Sequence, residues 1–307
     1  MTNILLIIAG FVLLFLGGEL LLRGSIALAK RFQLSNLLIG AVVIGFGTST
    51  PELSASISAA LKGAPDIALG NVIGSNTANV FLIAGMAGLL CPLKIPYANV
   101  HRDVVMMIVS SVMLVVMMWF ETLDMITGVI FLLTLTGYII WSFQSSDDDV
   151  GNEVSTAKTY STGMAFVLLA VGIATLTGGA ALLVDGVIGV ARRFGISEAI
   201  IGLTVVAVGS SLPELATAII SSIQKQSEMV LGNIIGSSIF NVLAILGVTA
   251  LIQPIPVSPQ MMAFDVWVMI AATLLLTLLI VMGIKIGRRI GSLMVMGYLS
   301  YVIWLYL

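Results

Sequence analysis

Apolar residues fill the chain in long, nearly unbroken runs; polar residues are confined to short gaps and to a few positions inside the runs. An α-helix needs about 20 apolar residues to cross the hydrocarbon core of a bilayer. On that rule the pattern predicts ten spans, at 3–29, 35–62, 65–91, 103–119, 123–143, 161–190, 196–222, 227–252, 264–284 and 290–307. The connections are short. The longest, 144–160, carries Asp147, Asp148, Asp149, Glu153 and Lys158. It lacks the spaced oxygen ligands and turn glycine of an EF-hand and reads as a solvated linker. The first run has no basic segment before it and an equivalent in mid-chain, so it reads as a retained span rather than a signal peptide.

The pattern repeats. Ile39–Pro92 aligns without a gap on Ile201–Pro254, 162 residues later, with 21 identities in 54 positions. Upstream, Gly17, Gly24, Ala29, Arg31, Phe32 and Ser35 answer Gly179, Gly186, Ala191, Arg193, Phe194 and Ser197. Apolar sequence matches itself by chance, but not with Pro, Glu, Asn and Gly in register. The chain is predicted to be a duplicated five-helix unit, 1–143 and 161–307, joined by the linker 144–160. With the N-terminus outside, Lys30, Arg31, Lys94, Arg102, Lys158, Lys225, Lys285, Arg288 and Arg289 fall in cytoplasmic loops, and only Lys62, Arg192 and Arg193 fall outside. That bias predicts both termini on the extracellular or periplasmic side of a plasma (inner) membrane. Units with an odd number of spans then lie in opposite orientations, as in many secondary transporters whose substrate site sits where two inverted repeats meet.

Composition agrees. The 307 residues are 59% hydrophobic and 9% charged, with a mean hydropathy of +1.15, against about 25% charged in a soluble domain. The net charge of −2 is uninformative about nucleic acid; no basic patch exists, so no nucleic-acid partner is expected, and no feature calls for an obligatory protein partner. A single cysteine, Cys91, and a single histidine, His101, leave little for disulfide, zinc or cofactor chemistry.

What remains is a handful of polar groups inside the spans. Glu52 follows Pro51 in Gly-Thr-Ser-Thr-Pro-Glu, and Glu214 follows Pro213 in Gly-Ser-Ser-Leu-Pro-Glu. An acid at membrane depth is costly and marks a functional site. Proline lacks an N–H and crowds the carbonyl four residues earlier, here Gly47 and Gly209, so spans 2 and 7 are predicted to break and free backbone oxygens. Such breaks persist only where protein or a water-filled cavity surrounds them. Ser49 and Glu52, Ser75 and Asn79, Ser211 and Glu214, and Ser237 and Asn241 are spaced to share helix faces. All offer oxygen, which suits calcium and sodium rather than zinc or copper. Two bidentate carboxylates and two freed carbonyls give six oxygens, the lower end of calcium coordination.

Other features read as structural. Gly70 with Gly74, and Gly232 with Gly236, have the spacing of close helix packing. Asp66 and Glu228 look like helix N-caps. Glu19 and Arg23 can pair with each other. Asp185 has no acidic counterpart, its equivalent being Arg23, and the methionine runs at 106–118 and 261–269 are apolar filling.

The motifs ending in Glu52 and Glu214, with Gly-Ser-Asn-Thr-Ala-Asn79 and Gly-Ser-Ser-Ile-Phe-Asn241, resemble the two alpha-repeats of the cation/calcium antiporter superfamily, most like its prokaryotic sodium/calcium exchanger branch. The resemblance implies a fold of ten transmembrane helices. It implies that Glu52 and Glu214 are the central ligands for both ions and that the Thr48 and Ser210 carbonyls help hold calcium. Ser49, Ser75 and the Gly45 carbonyl would form one sodium site. Ser211, Ser237 and the Ala207 carbonyl would form its mirror, and Asn79 and Asn241 would line the middle. Some relatives, notably potassium-dependent ones, carry Asp at the second Asn position, so Asn241 speaks against potassium.

The expected activity is therefore exchange of sodium for calcium by alternating access, with no enzyme activity and no cofactor. Two carboxylates neutralise one calcium or two sodium ions, so occupancy is mutually exclusive. Two facing anions in low dielectric favour taking up a proton, so protons are expected to compete with calcium. If more than two sodium ions cross per calcium, transport feels the membrane potential, about 2.3 kcal/mol per charge per 100 mV. The alternative is a calcium/proton antiporter, which shares the paired acids; the four serines beside them favour sodium. The long, Gly-rich first and sixth spans are expected to slide against the rest.

Overall fold

The computed structural model describes residues 2–32, 34–94, 96–144, 160–194 and 209–305. The linker and the start of the seventh predicted span, with Ala207, lie outside them. The described chain is helical: α1 (Thr2–Phe32), α2 (Asn36–Thr48), α3 (Thr50–Leu61), α4 (Asp66–Leu90), α5 (Tyr97–Met118), α6 (Met125–Gln144), α7 (Thr162–Arg193), α8 (Leu212–Ile223), α9 (Ser227–Ile252), α10 (Met261–Val281) and α11 (Arg288–Leu305). Seven of these are long and apolar enough to cross a membrane, and α2 with α3 makes an eighth if the bent pair is one span. Ile4, Leu5, Ile8, Phe11, Val12, Phe15 and Leu16 of α1 are exposed, as are Phe166, Val167 and Val171 of α7. Such faces suit lipid, not water. The protein is a multi-pass, all-helical membrane protein.

Local chemistry sets the helix ends. Ser35 caps α2 by accepting from the Leu38 N–H (3.1 Å), and Ser161 caps α7 by accepting from Met164 (3.3 Å). Asp124 caps α6, taking the Thr127 N–H (2.9 Å) and hydroxyl (3.0 Å). Lys30 and Arg31 close α1, and Arg192 and Arg193 close α7, where positive charge meets the helix dipole. Asp66 and Glu228 are not the N-caps expected of them. They lie one and two residues inside, after Pro65 and Gln226, where a carboxylate still favours the dipole from within the first turn. Helix α5 starts at Tyr97, earlier than the apolar run, because the polar turn Tyr97–Arg102 is helical as well.

Two apolar clusters organise the packing. One joins α1 and α7 with Ile39, Ile44, Ile220 and Met229 at its edge; the larger gathers α4, α5, α6, α9 and α10. Within the first, Gly10, Gly17 and Gly24 of α1 face Gly179, Gly172 and Ala165 of α7, so the two helices run antiparallel. A Cβ on Gly17 would stand 2.7 Å from the Leu176 nitrogen, and one on Gly179 2.8 Å from the Leu14 nitrogen. Glycine permits this backbone-to-backbone approach. The three glycines of α1 recur 162 residues later as Gly172, Gly179 and Gly186. The stripe therefore binds α1 and α7 to each other as a pair.

Contacts between the halves come in matched pairs. Gly128 of α6 abuts the Gly247 carbonyl of α9, and Gly291 of α11 abuts the Gly85 carbonyl of α4. β1 (Thr122–Leu123) pairs antiparallel with β2 (Ile255–Pro256), while Leu93 bridges to Ile286. Tyr138 donates to the buried Asp103 (2.9 Å) and Tyr301 to Asp265 (3.0 Å). Asp265 follows Asp103 by 162 residues and Tyr301 follows Tyr138 by 163. The correspondence thus runs on past Pro92 with a one-residue slip that hides it from an ungapped comparison.

Candidate cation site

The chain turns sharply at the first acid. Ile39–Ile44 is wound as a π-helix, Gly45–Thr48 returns to α geometry, and Ser49 leaves it with φ −83° and ψ 8°. Helix α3 then begins, bent by 41° from α2, with Pro51 in its first turn where a missing N–H costs nothing and Glu52 beside it. The second half ends in the same way: Ser211 has φ −87° and ψ 6°, and Pro213 and Glu214 occupy the first turn of α8. Each acid thus lies at a helix N-terminus, favourable for an anion. Asn79 and Asn241 each begin a π-helical segment, Asn79–Ala84 and Asn241–Leu246. Wider turns of this kind recur at functional sites.

Glu52 and Glu214 are both buried, and three of their four carboxylate oxygens, both of Glu52 and Oε2 of Glu214, have no hydrogen-bond partner. The fourth, Glu214 Oε1, accepts from the Ser49 hydroxyl of the other half at 3.0 Å. Among the described residues no group of three or more His, Cys, Asp or Glu comes together, so any further ligands here are hydroxyl, amide or backbone oxygens. Buried carboxylate oxygens without donors are costly unless a cation or proton satisfies them.

A network of α2 and α9 surrounds the pair. The Thr48 hydroxyl lies 3.3 Å from both Gly45 O and Asn233 Oδ1, with one proton to share between them. The Ser237 hydroxyl likewise shares its one proton between Gly45 O (3.2 Å) and Asn233 Oδ1 (3.3 Å). Gly45 O also takes the Ser49 N–H at 3.2 Å, so in this conformation it is fully engaged. Gly232 and Gly236 make the approach possible, lying against the backbone of Leu37, Gly40 and Ala41. On α4, Ser75 and Asn79 are buried one turn apart, and Asn79 Nδ2 has no partner. Asn241 donates to Asn76, and Ser211 is buried. The described geometry joins Gly45, Thr48 and Ser49 to Glu214 and Ser237.

Sequence reasoning passed over Asn71, Asn76 and Asn233. Asn71 Nδ2 donates to Glu52 O (3.3 Å) and Ser56 Oγ (3.1 Å), supporting the first acid from behind. Asn71 and Asn233 are identical at the 162-residue offset, which was signal enough to include them. Asn76 stands opposite Ser238 and drops out of any search for symmetric residues.

Two buried acids with three of their four oxygens unpartnered, beside hydroxyls of two similar helical halves, suit a membrane carrier for cations. Family comparison gives the same class: the sodium/calcium exchanger protein family matches residues 2–144 and 164–307. The chain belongs to this family and is a cation/calcium antiporter. It is 31% identical to the sodium/calcium exchanger MaX1 of Methanosarcina acetivorans over 99% of both chains. It is 32% identical to the inner membrane protein YrbG of Escherichia coli over 98% of this chain and 96% of the other. Among solved structures, the sodium-calcium exchanger NCX_Mj soaked without sodium and calcium superimposes with a TM-score of 0.86 at 30% identity, covering 99% of each chain.

Proposed function

We propose that the protein exchanges sodium for calcium by alternating access between ten membrane spans arranged as two inverted repeats, 1–143 and 161–307, with both termini outside. One observation carries the reading: three buried carboxylate oxygens of Glu52 and Glu214 lack partners, and the fourth is held by a serine of the opposite half. The antiparallel packing of α1 on α7, helices at equivalent places in the repeat, supports the inversion. The bend beside Pro51 and the matching dihedrals before Pro213 support a break in each half.

In this reading Glu52 and Glu214 are the shared ligands, and the Thr48 and Ser210 carbonyls complete the calcium shell. Ser49, Ser75 and the Gly45 carbonyl hold sodium on one side, and Ser211, Ser237 and the Ala207 carbonyl on the other. Asn79 and Asn241 line the middle. Sodium is preferred to a proton as counter-ion because four hydroxyls stand beside acids that would need none to be protonated. MaX1 and NCX_Mj, both named as sodium/calcium exchangers, support the same choice.

The test is calcium-45 uptake into proteoliposomes loaded with sodium, compared with vesicles carrying only a proton gradient. Sodium-driven uptake is expected, together with its loss in Glu52→Gln protein that still elutes as a folded species. Uptake driven by protons alone would establish the calcium/proton antiporter instead. Full activity of Glu52→Gln would remove the site.

A further inference from the structure

Asn76 and Asn241 form a short relay of amides between the halves. Asn76 is buried on α4 and donates Nδ2 to the Ser238 carbonyl at 3.1 Å. Its Oδ1 accepts from Asn241 Nδ2 at 3.0 Å, and Asn241 Oδ1 is buried with no partner. The order of these groups is dictated from one end. A backbone carbonyl can only accept, so Asn76 must turn its NH₂ toward Ser238 and its oxygen toward Asn241. Asn241 must then answer with its own NH₂, which leaves its oxygen facing away. Asn241 shares a helix face with Ser237, four residues before it, and Ser237 is bonded into the Gly45–Thr48–Asn233 network.

The repeat position has no such relay. Ser238 stands where Asn76 would recur, and its hydroxyl is spent on Ile234 O at 2.8 Å. Asn79, the counterpart of Asn241, buries an unpartnered NH₂. The two middle amides are therefore unequal: Asn241 is held with its oxygen free, and Asn79 is not held in that way.

We propose that Asn76 is a positioning residue for the transported cation, fixing the Asn241 carboxamide so that Oδ1 rather than NH₂ is presented to the ion. This rests on the reading of the Glu52–Glu214 site as the place where calcium is carried. A cation is stabilised by the oxygen end of an amide and repelled by the NH₂ end, so an amide free to flip loses affinity. Carboxylate oxygens are equivalent, so an Asp at 241 needs no such orientation.

The experiment is a double-mutant cycle on calcium self-exchange in proteoliposomes, with KM and turnover measured separately. Self-exchange needs no counter-ion, so failure of the sodium reading would not touch the result. Asn76→Ala, and Asn76→Ser as a smaller perturbation carrying the residue found at 238, are expected to raise the calcium KM about five- to tenfold, as for loss of one orienting hydrogen bond. In an Asn241→Asp background, where the Asn76 oxygen faces a carboxylate with no N–H to give it, the same changes are expected to leave the calcium KM unchanged or to lower it. A residue that merely fills space would cost the same in both backgrounds. Equal KM increases in the two backgrounds, or no increase with Asn241 present, would overturn the proposal.

Discussion

Among the described glycines Gly236 makes the closest approach between the halves, and there a single methyl group tests the site. A Cβ there would collide with the Ala41 carbonyl oxygen and Cα, and would lie 2.6 Å from the Ala41 carbonyl carbon. Real Cβ contacts stay beyond 3.0 Å, and the obstacle is helix backbone with no rotamer to relieve it. Helix α2 must therefore withdraw from α9 by about 1 Å at Ala41. The bonds between these helices, Ser237 to Gly45 O at 3.2 Å and Thr48 to Asn233 at 3.3 Å, have little slack. Such a shift carries both past hydrogen-bonding distance, and it strains the 3.0 Å bond from Ser49 to Glu214, because Ser49 rides at the end of α2. At about 1 kcal/mol for each bond the loss is about 2–3 kcal/mol, equivalent to roughly 30- to 150-fold in calcium affinity. Gly40→Ala is a milder form, its Cβ meeting Met229 O at 2.8 Å, and Gly297→Ala, with only Phe81 ring carbons at 3.9 Å, is the control. Calcium KM in self-exchange and the melting temperature of purified protein should both rank Gly236→Ala as worst, Gly40→Ala as intermediate and Gly297→Ala as unchanged. A Gly236→Ala protein with wild-type KM and stability would refute the claim that this contact aligns the site.

Two further outcomes follow from the same contacts. Gly17→Ala would place a methyl 2.7 Å from the Leu176 nitrogen and 3.0 Å from Gly172 O, loosening α1 from α7 at a distance from the acids. Calcium turnover should fall several-fold with KM nearly unchanged, and the reverse split would show that the stripe does not serve motion. At the membrane edge, the Thr127 N–H and hydroxyl hold the Asp124 carboxyl below its ordinary value. Its capping contribution is complete above the unfolded pKa of about 3.9 and is lost as pH falls through the lower folded value. Melting temperatures recorded from pH 2 to 6 should show that acid-dependent part disappear in Asp124→Asn; an unchanged pH profile would show that the cap is energetically silent.

What could be read without coordinates was whatever leaves a local or periodic trace. Spans show as runs of apolar residues, and the prolines beside Glu52 and Glu214 show as breaks where no soluble core would need them. The duplication was visible where Gly, Asn and Glu stay in register. Contacts between distant segments leave no such trace. That Gly128 would meet Gly247 while Gly291 meets Gly85, or that Tyr138 would reach Asp103, depends on which helices become neighbours. The π-helical turns at Asn79 and Asn241 were equally hidden, because one extra residue per turn barely alters an apolar pattern. Asp66 and Glu228 were misjudged by one or two positions because first-turn and capping positions favour overlapping sets of residues.

The described conformation is more informative for being unequal. Ser49 donates to Glu214, while both oxygens of Glu52 lack a partner, although Ser211 stands at the matching position in the other half. Ser237 is bonded to Gly45 O. In the proposed transport cycle the second state is the one with the roles exchanged, Ser211 donating to Glu52 while Glu214 is freed. Two conformations of nearly equal energy, differing in which acid is held and which is free, are what an alternating-access carrier requires. Residues of the site that differ between the halves, such as Asn76 against Ser238, Gly45 against Ala207 and Thr48 against Ser210, are then able to make the two states unequal. A bias of 1.4 kcal/mol between them shifts the populations by about tenfold. Exchange in both directions requires that these differences stay small: the acids, the serines beside them and the middle asparagines are identical in the two halves, and where Gly45 answers Ala207 or Thr48 answers Ser210 the proposed ligand is a backbone carbonyl that both residues carry.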